Sequence, residues 1–182
     1  DGKIVSNVFF WHLRNMFFCQ THVAPLRSIL EIGGGYGTLA RLWLLNPEAK
    51  IDRYVIVDLP EALFFSEVTL RAEFGDRVGY WNGKDPGTQV VLVPVGRLEE
   101  YTKPSDLVIN VGSFQEMSDI WISHYMKWLD IYQAKFLYSL NYMGSPIEYL
   151  YESRNFWSPR PSNFWSTRII NPDIPLVKVM CA

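Results

Sequence analysis

The chain has few of the residues that announce a chemistry at a glance. Cysteine occurs twice in 182 residues, at Cys19 and Cys181, and histidine three times, at His12, His22 and His124. Two cysteines exclude a disulfide framework, and neither they nor the histidines fall at metal-ligand spacing. No structural metal is expected, and the thiols read as free groups in a reducing, cytoplasmic compartment. A basic excess is missing too, since 17 Lys and Arg stand against 19 Asp and Glu for a formal charge of −2. Surfaces that track phosphates carry the opposite balance, so no nucleic-acid partner is expected. The most apolar N-terminal stretch, Val8 to Phe18, contains His12, Arg14 and Asn15 and has no small-residue cleavage site. It therefore reads as an amphipathic helix rather than a signal peptide or a membrane anchor.

What the chain does have is a core: 48% of its residues are apolar and 15% aromatic. That is enough to bury one domain of this length. The expected organisation is a single domain over 1–182, divided into an N-terminal helical segment (1–25), a cofactor-binding core (26–142) and an aromatic loop with a closing strand (143–182). The first residue is Asp1 rather than methionine, which fits one domain cut from a longer protein. Oligomeric state has no signature here.

Short, nearly continuous apolar runs recur at Ser28–Ile32, Arg53–Asp58, Gln89–Val95, Asp106–Val111 and Ala134–Leu140. Runs of this kind, bounded by polar or glycine signals, predict strands buried on both faces. Helical patterns over Thr38–Leu45, Glu61–Phe74 and Ser118–Tyr132 separate most of them. The alternation predicts an α/β fold with a doubly wound, mostly parallel sheet. Gly96–Tyr101 offers a short helix at most, and the turn-rich Val78–Gln89 reads as a surface connection.

The first βα turn carries the ligand signal. LEIGGGYGTLARL runs from Leu30 to Leu42 and has the form E-x-G-x-G-x-G at Glu31, Gly33, Gly35 and Gly37. Glycines let the backbone approach a ligand, and amides at a helix start supply donors. The dinucleotide spacing G-x-G-x-x-G fails, because the third place after Gly33 and Gly35 is Thr38, and no Lys-Ser/Thr pair follows to clamp a phosphate. Glu31 discriminates further: a pyrophosphate beside it would be repelled, whereas S-adenosylmethionine is cationic and phosphate-free. Asp58, 21 positions beyond Gly37 at the end of the second strand, suits a ribose diol. Asp58 alone would also suit NAD, so an NAD-dependent oxidoreductase stays open as a weaker alternative, without an evident Tyr-x-x-x-Lys pair to support it.

Three blocks, EIGGGYGTLARL, YVIVDLPEALFFSEVTLR and INVGSFQEMSDIWISHYMKWLD followed by AKFLYSLNY, together resemble the sugar O-methyltransferases. These are a group of class I adenosylmethionine-dependent enzymes with a Rossmann-like fold. The resemblance spans Leu26 to Tyr142, with a weaker echo in the closing IPLVKVMCA. It implies S-adenosylmethionine as cofactor and a small-molecule acceptor, a sugar or glycoside. Glu31, Gly33, Gly35 and Gly37 match the cofactor loop, and Asp58 with Leu59 matches the ribose acid and the apolar residue beside adenine. Where many class I enzymes place an acid after the third strand, this chain reads PVGRLEE, so backbone groups of Val95–Leu98 would have to serve the adenine.

Ligands bind at the carboxyl ends of parallel strands, which directs attention to NVGSFQEMSDIWISH after the fourth one. Asn110 is expected at the cofactor, with Gln115 and Glu116 near the acceptor. Glu116 is the first candidate for a general base on an alcohol, though a helix-start carboxylate is an equal reading. His124, eight residues on, would share a helical face with Glu116 and is the second catalytic candidate. Asp119 reads as an ordinary first-turn acid. His12 and His22 read as structural, within reach of a cofactor from the N-terminal helix. The late aromatics Tyr142, Tyr149, Phe156, Trp157, Phe164 and Trp165, with Arg154 and Arg160, suit either acceptor stacking or packing. A non-catalytic cofactor-binding module is the alternative function.

Overall fold

The computed structural model describes residues 6–23, 25–132, 134–141, 166–171 and 174–178. The late aromatics and arginines just named, and Cys181, lie outside them. In chain order the elements are α1 (Asn7–Val23), β1 (Ser28–Ile32), α2 (Thr38–Leu45), β2 (Arg53–Asp58), α3 (Pro60–Phe74), β3 (Val78–Tyr80), β4 (Val90–Pro94), β5 (Ser105–Val111), α4 (Asp119–Ile131), β6 (Ala134–Leu140), β7 (Ser166–Asn171) and β8 (Ile174–Lys178). Short 3₁₀ turns cover Gly75–Arg77, Val95–Glu100 and Phe114–Glu116.

They build one sheet in the order β3-β4-β2-β1-β5-β6-β8-β7. Every pairing is parallel except β7 with β8. The period of two along each strand divides the core into two layers. Ile29, Tyr54, Ile56, Leu92, Ile109 and Tyr138 face α1, α2 and α3. Leu30, Ile32, Val55, Val57, Val93 and Val108 face Ile122, Tyr125, Met126 and Leu129 of α4. Both faces of the sheet are covered, which is why its strands read as continuous apolar runs. The fold is therefore the expected doubly wound α/β sheet.

The details differ at three places. Val78–Gln89 is not only a surface connection, because Val78–Tyr80 forms the edge strand β3 against β4. A three-residue edge strand containing Gly79 has almost no local signal, and pairing with β4 supplies it. The N-terminal helix continues to Val23, five residues past the apolar stretch, and its Asn15 side chain accepts a hydrogen bond from the Tyr138 hydroxyl at 2.6 Å. Between Glu116 and α4 the backbone is extended at Met117 (ψ 153°) and Ser118 (ψ 157°). Among the described residues no helix is long and apolar enough to cross a membrane.

From β1 the chain winds through β2 to the β3–β4 edge, then crosses back to β5 on the other side of β1. The strand order reverses between β1 and β5, and a crevice opens beyond their carboxyl ends. The glycine loop and the NVGSFQEM segment both leave the sheet at that point.

Candidate functional site

A cavity of about 600 Å³ occupies this crevice. Gly33 and Gly35 line it from the loop after β1, Asp58, Leu59 and Ala62 from the β2–α3 junction, and Val95 from the end of β4. Ser113, Glu116, Met117, Ser118, Trp121 and Tyr125 close it from the β5–α4 side. No lysine, arginine or histidine is among these residues, and Asp58 and Glu116 are their charged members.

The loop is shaped from within the protein. Gly33 has φ 76°, and a Cβ there would overlap the Ser113 side chain, so only glycine lets the β1 and β5 loops meet. Its N–H donates to the Val57 carbonyl at 2.8 Å and prolongs the β1–β2 ladder by one bond. Gly35 has φ 53° and open space where a Cβ would stand, so its peptide lies bare at the cavity. Its N–H donates to Asp58 Oδ2 at 2.9 Å, while the N–H of Leu59 donates to Oδ1 at 2.8 Å. Burial raises the Asp58 carboxyl above its ordinary value, and the two amides work in the opposite direction. Each Asp58 oxygen holds one hydrogen bond and keeps a lone pair for a ligand.

Glu31 lies elsewhere than its sequence position suggests. It does not line the cavity. Strand alternation turns it to the α1–α2–α3 side, where it is 2% exposed and accepts a hydrogen bond from the Tyr54 hydroxyl at 2.8 Å. Its carboxyl carbon sits 3.3 Å from the place a Gly34 Cβ would take, so it underpins the loop. Burial pushes this carboxyl up to about 7, the nearby Asp58 charge adds to that, and the Tyr54 hydroxyl opposes it.

A carboxyl raised from an ordinary 4.5 to about 7 keeps a proton in the folded state that the unfolded chain has released. Its contribution to stability is complete below pH 4.5 and is lost as pH rises through 7, by roughly 3 kcal/mol in all. Glu31→Gln keeps the shape and removes the titration. Urea unfolding should find this variant more stable than the parent chain at pH 8 and equal to it near pH 4.5; a difference independent of pH would refute the account.

Asn110 and His124 are also off the cavity. Asn110 is completely buried: its amide donates to the Ile32 carbonyl at 3.0 Å and to the Ser113 hydroxyl, and its Oδ1 accepts from Asn141 Nδ2 at 2.9 Å. It ties β1, β5 and β6 together and holds Ser113 on the cavity wall. His124 sits half-buried with its ring edge-on to Trp121 and Tyr125. The expected shared face with Glu116 does not exist, since the extended residues Met117 and Ser118 break the helical period between them.

Glu116 is exposed at the rim. Asp119 is a first-turn acid of α4. His22 donates through Nδ1 to the Phe18 carbonyl at 2.9 Å, His12 lies beside Trp11, and neither lines the cavity. Sequence reasoning passed over Ser113, Trp121, Tyr125 and Asn141. The i, i+4 spacing of Trp121 and Tyr125 was the available signal, since it sets the two rings on one helical face.

No protein-family model and no curated protein sequence matches the chain. Among solved structures it is similar to a protein from Pyrococcus horikoshii assigned as an RNA methyltransferase, with TM-score 0.54, 15% identity, and coverage of 84% of this chain and 72% of that one. It is also similar to the small RNA methyltransferase HEN1, with TM-score 0.51 and 15% identity over 75% of this chain and 18% of that one. A Nostoc punctiforme protein assigned as an O-methyltransferase has TM-score 0.46 and 15% identity over 66% of this chain. The chain spans 33% of the length of that protein. At these identities the likeness concerns the fold, which is that of Rossmann-like methyltransferases.

Proposed function

We propose that the chain is an S-adenosylmethionine-dependent O-methyltransferase acting on a small molecule, with a sugar hydroxyl as acceptor. The observation that carries this reading is the charge of the cavity: acids at Asp58 and Glu116 and no cationic side chain among the described residues that line it. A pyrophosphate cofactor would find no counter-charge there, whereas a sulfonium and an ammonium would. The residues also fit the group. The cavity lies within the ~300–1,000 Å³ usual for ligands of this size. Asp58 retains acceptors for two ribose hydroxyls, Gly35 leaves space, and Leu59 and Val95 offer apolar contact for a flat base.

The cofactor, when bound, supplies a methyl group on sulfur for in-line displacement. The chain's own contribution is then to align and desolvate the acceptor. Glu116 at the rim takes the proton that the acceptor hydroxyl loses, and Trp121, 47% exposed beside it, gives a ring face for a sugar to stack on. A cofactor-binding module without turnover is the second reading. It draws on Glu116 being exposed, with no hydrogen bond or ion pair to its carboxylate among the described residues.

Isothermal titration with adenosylmethionine and with NAD is the deciding measurement, with adenosylmethionine expected to bind and NAD not; the reverse outcome would exclude the proposal. Methyl transfer is then assayed on a panel of glycosides. A small RNA is included because one of the similar structures is a small RNA methyltransferase and another is assigned as an RNA methyltransferase. Glu116→Gln should cut turnover at least tenfold, in line with typical general-base effects, and leave cofactor affinity unchanged. Cofactor binding without transfer to any acceptor supports the second reading.

A further inference from the structure

Tyr125 stands on α4 where that helix borders the cavity. The residue is only 2% exposed, yet it lines the cavity. Its ring is fixed from behind, with the Phe114 centroid at 5.7 Å and the His124 centroid at 6.3 Å. No hydrogen bond to its hydroxyl occurs among the described residues. A phenol on a cavity wall without a protein partner is open to a ligand. Asp58, from the end of β2, lines the same cavity and is near enough for its charge to act on the phenol.

We propose that Tyr125 is a cofactor-positioning residue that closes on the ribose from the α4 side, opposite Asp58. The inference rests on the adenosylmethionine reading. A vicinal diol complements the pair chemically: its O–H groups donate to the Asp58 carboxylate, and a hydroxyl oxygen accepts from the Tyr125 O–H. The carboxylate alone would take any pair of donors. The phenol adds the requirement that the donor also accept, which a ribose hydroxyl meets and an ammonium does not. Tyr125 thereby selects for an intact ribose and fixes its rotation.

The test uses S-adenosylhomocysteine and its 3′-deoxyribose analogue, titrated calorimetrically into the parent chain and into Tyr125→Phe. The parent chain should prefer the intact ligand. Tyr125→Phe should bind adenosylhomocysteine about 5- to 20-fold more weakly, the range expected for one hydrogen bond. The same variant should discriminate less against the deoxy analogue and melt within a degree or two of the parent chain. Equal affinity in the two proteins, or undiminished discrimination in the variant, overturns the assignment of Tyr125 and leaves the cofactor reading standing. Failure of the parent chain to bind either ligand overturns the cofactor reading and the inference with it.

Discussion

Asp58→Ala is expected to lower affinity for adenosylmethionine by a hundredfold or more, measured by titration at neutral pH. The carboxylate sits where the cavity, the loop and the β2–α3 junction meet, and it serves the protein and the ligand together. On the protein side it accepts from Gly35 N–H and Leu59 N–H. On the ligand side two charge-assisted bonds to a diol contribute about 1.5–3 kcal/mol each, and about 1.4 kcal/mol is a factor of ten in affinity. The alanine variant also leaves the Gly35 amide without its acceptor, so the loop loses one of its bonds to β2 while the Gly33 bond to the Val57 carbonyl stays. Asp58→Asn distinguishes the two parts, because a carboxamide oxygen can still receive one amide while the negative charge is gone. It should restore part of the thermal stability and little of the affinity. An alanine variant binding within threefold of the parent chain would reduce Asp58 to a loop staple.

Asn110→Leu should cost the fold about 2–4 kcal/mol, the sum expected when buried hydrogen-bonding groups lose partners. Leucine repeats the branched outline of asparagine with bulkier ends, so no cavity forms. What it removes is the bond to the Ile32 carbonyl, the bond to Ser113 and the acceptor for Asn141 Nδ2. Ser113 Oγ still reaches the Ile32 carbonyl at 3.0 Å, and Asn141 still reaches the Ser139 hydroxyl, also at 3.0 Å, which keeps the loss from being larger. For a chain of this size 1 kcal/mol corresponds to ~2–4 °C, so the melting temperature should fall by ~5–15 °C. Cofactor affinity should fall as well, because Ser113 loses the bond that fixes it on the cavity wall. A melting temperature unchanged within one degree would show that the network is not a structural tie.

The parts of this protein that were legible in its sequence are those decided by local pattern. β1, α2, β2 and β6 begin and end where the apolar runs and their flanking signals predict. β4, β5, α3 and α4 differ by one residue at either or both ends. The short turn after β4 also follows the sequence, since Val95–Glu100 is a 3₁₀ turn over the GRLEEY region. These agreements share a cause: strands buried on both faces need continuous apolar residues, and a helix packed on one face needs its own period.

Glu31, Asn110 and His124 were not legible in the same way, although each stands in a recognisable block. A position in a strand or loop says how near a residue is to the crevice, and the direction of its side chain depends on parity and on the partners it meets. Strand parity sends Glu31 beneath the loop to Tyr54, and Asn110 turns inward to the Ile32 carbonyl and to Asn141, 31 positions later. For His124 a break of two extended residues was enough. Tyr125 is the opposite case, a residue with the pattern of a core aromatic that lines the cavity, its hydroxyl without a hydrogen bond among the described residues.

The sequence by itself determined the doubly wound architecture, the glycine loop between β1 and α2, and the acid at the end of β2, because hydrophobic period and the steric freedom of glycine act over a few neighbouring residues. Only the tertiary structure decided which polar side chains face the cavity and which are consumed in holding it open. That choice depends on strand parity and on hydrogen-bond partners dozens of positions away, as with Asn110 and Asn141 beneath Ser113, where a buried polar group points to whatever satisfies it.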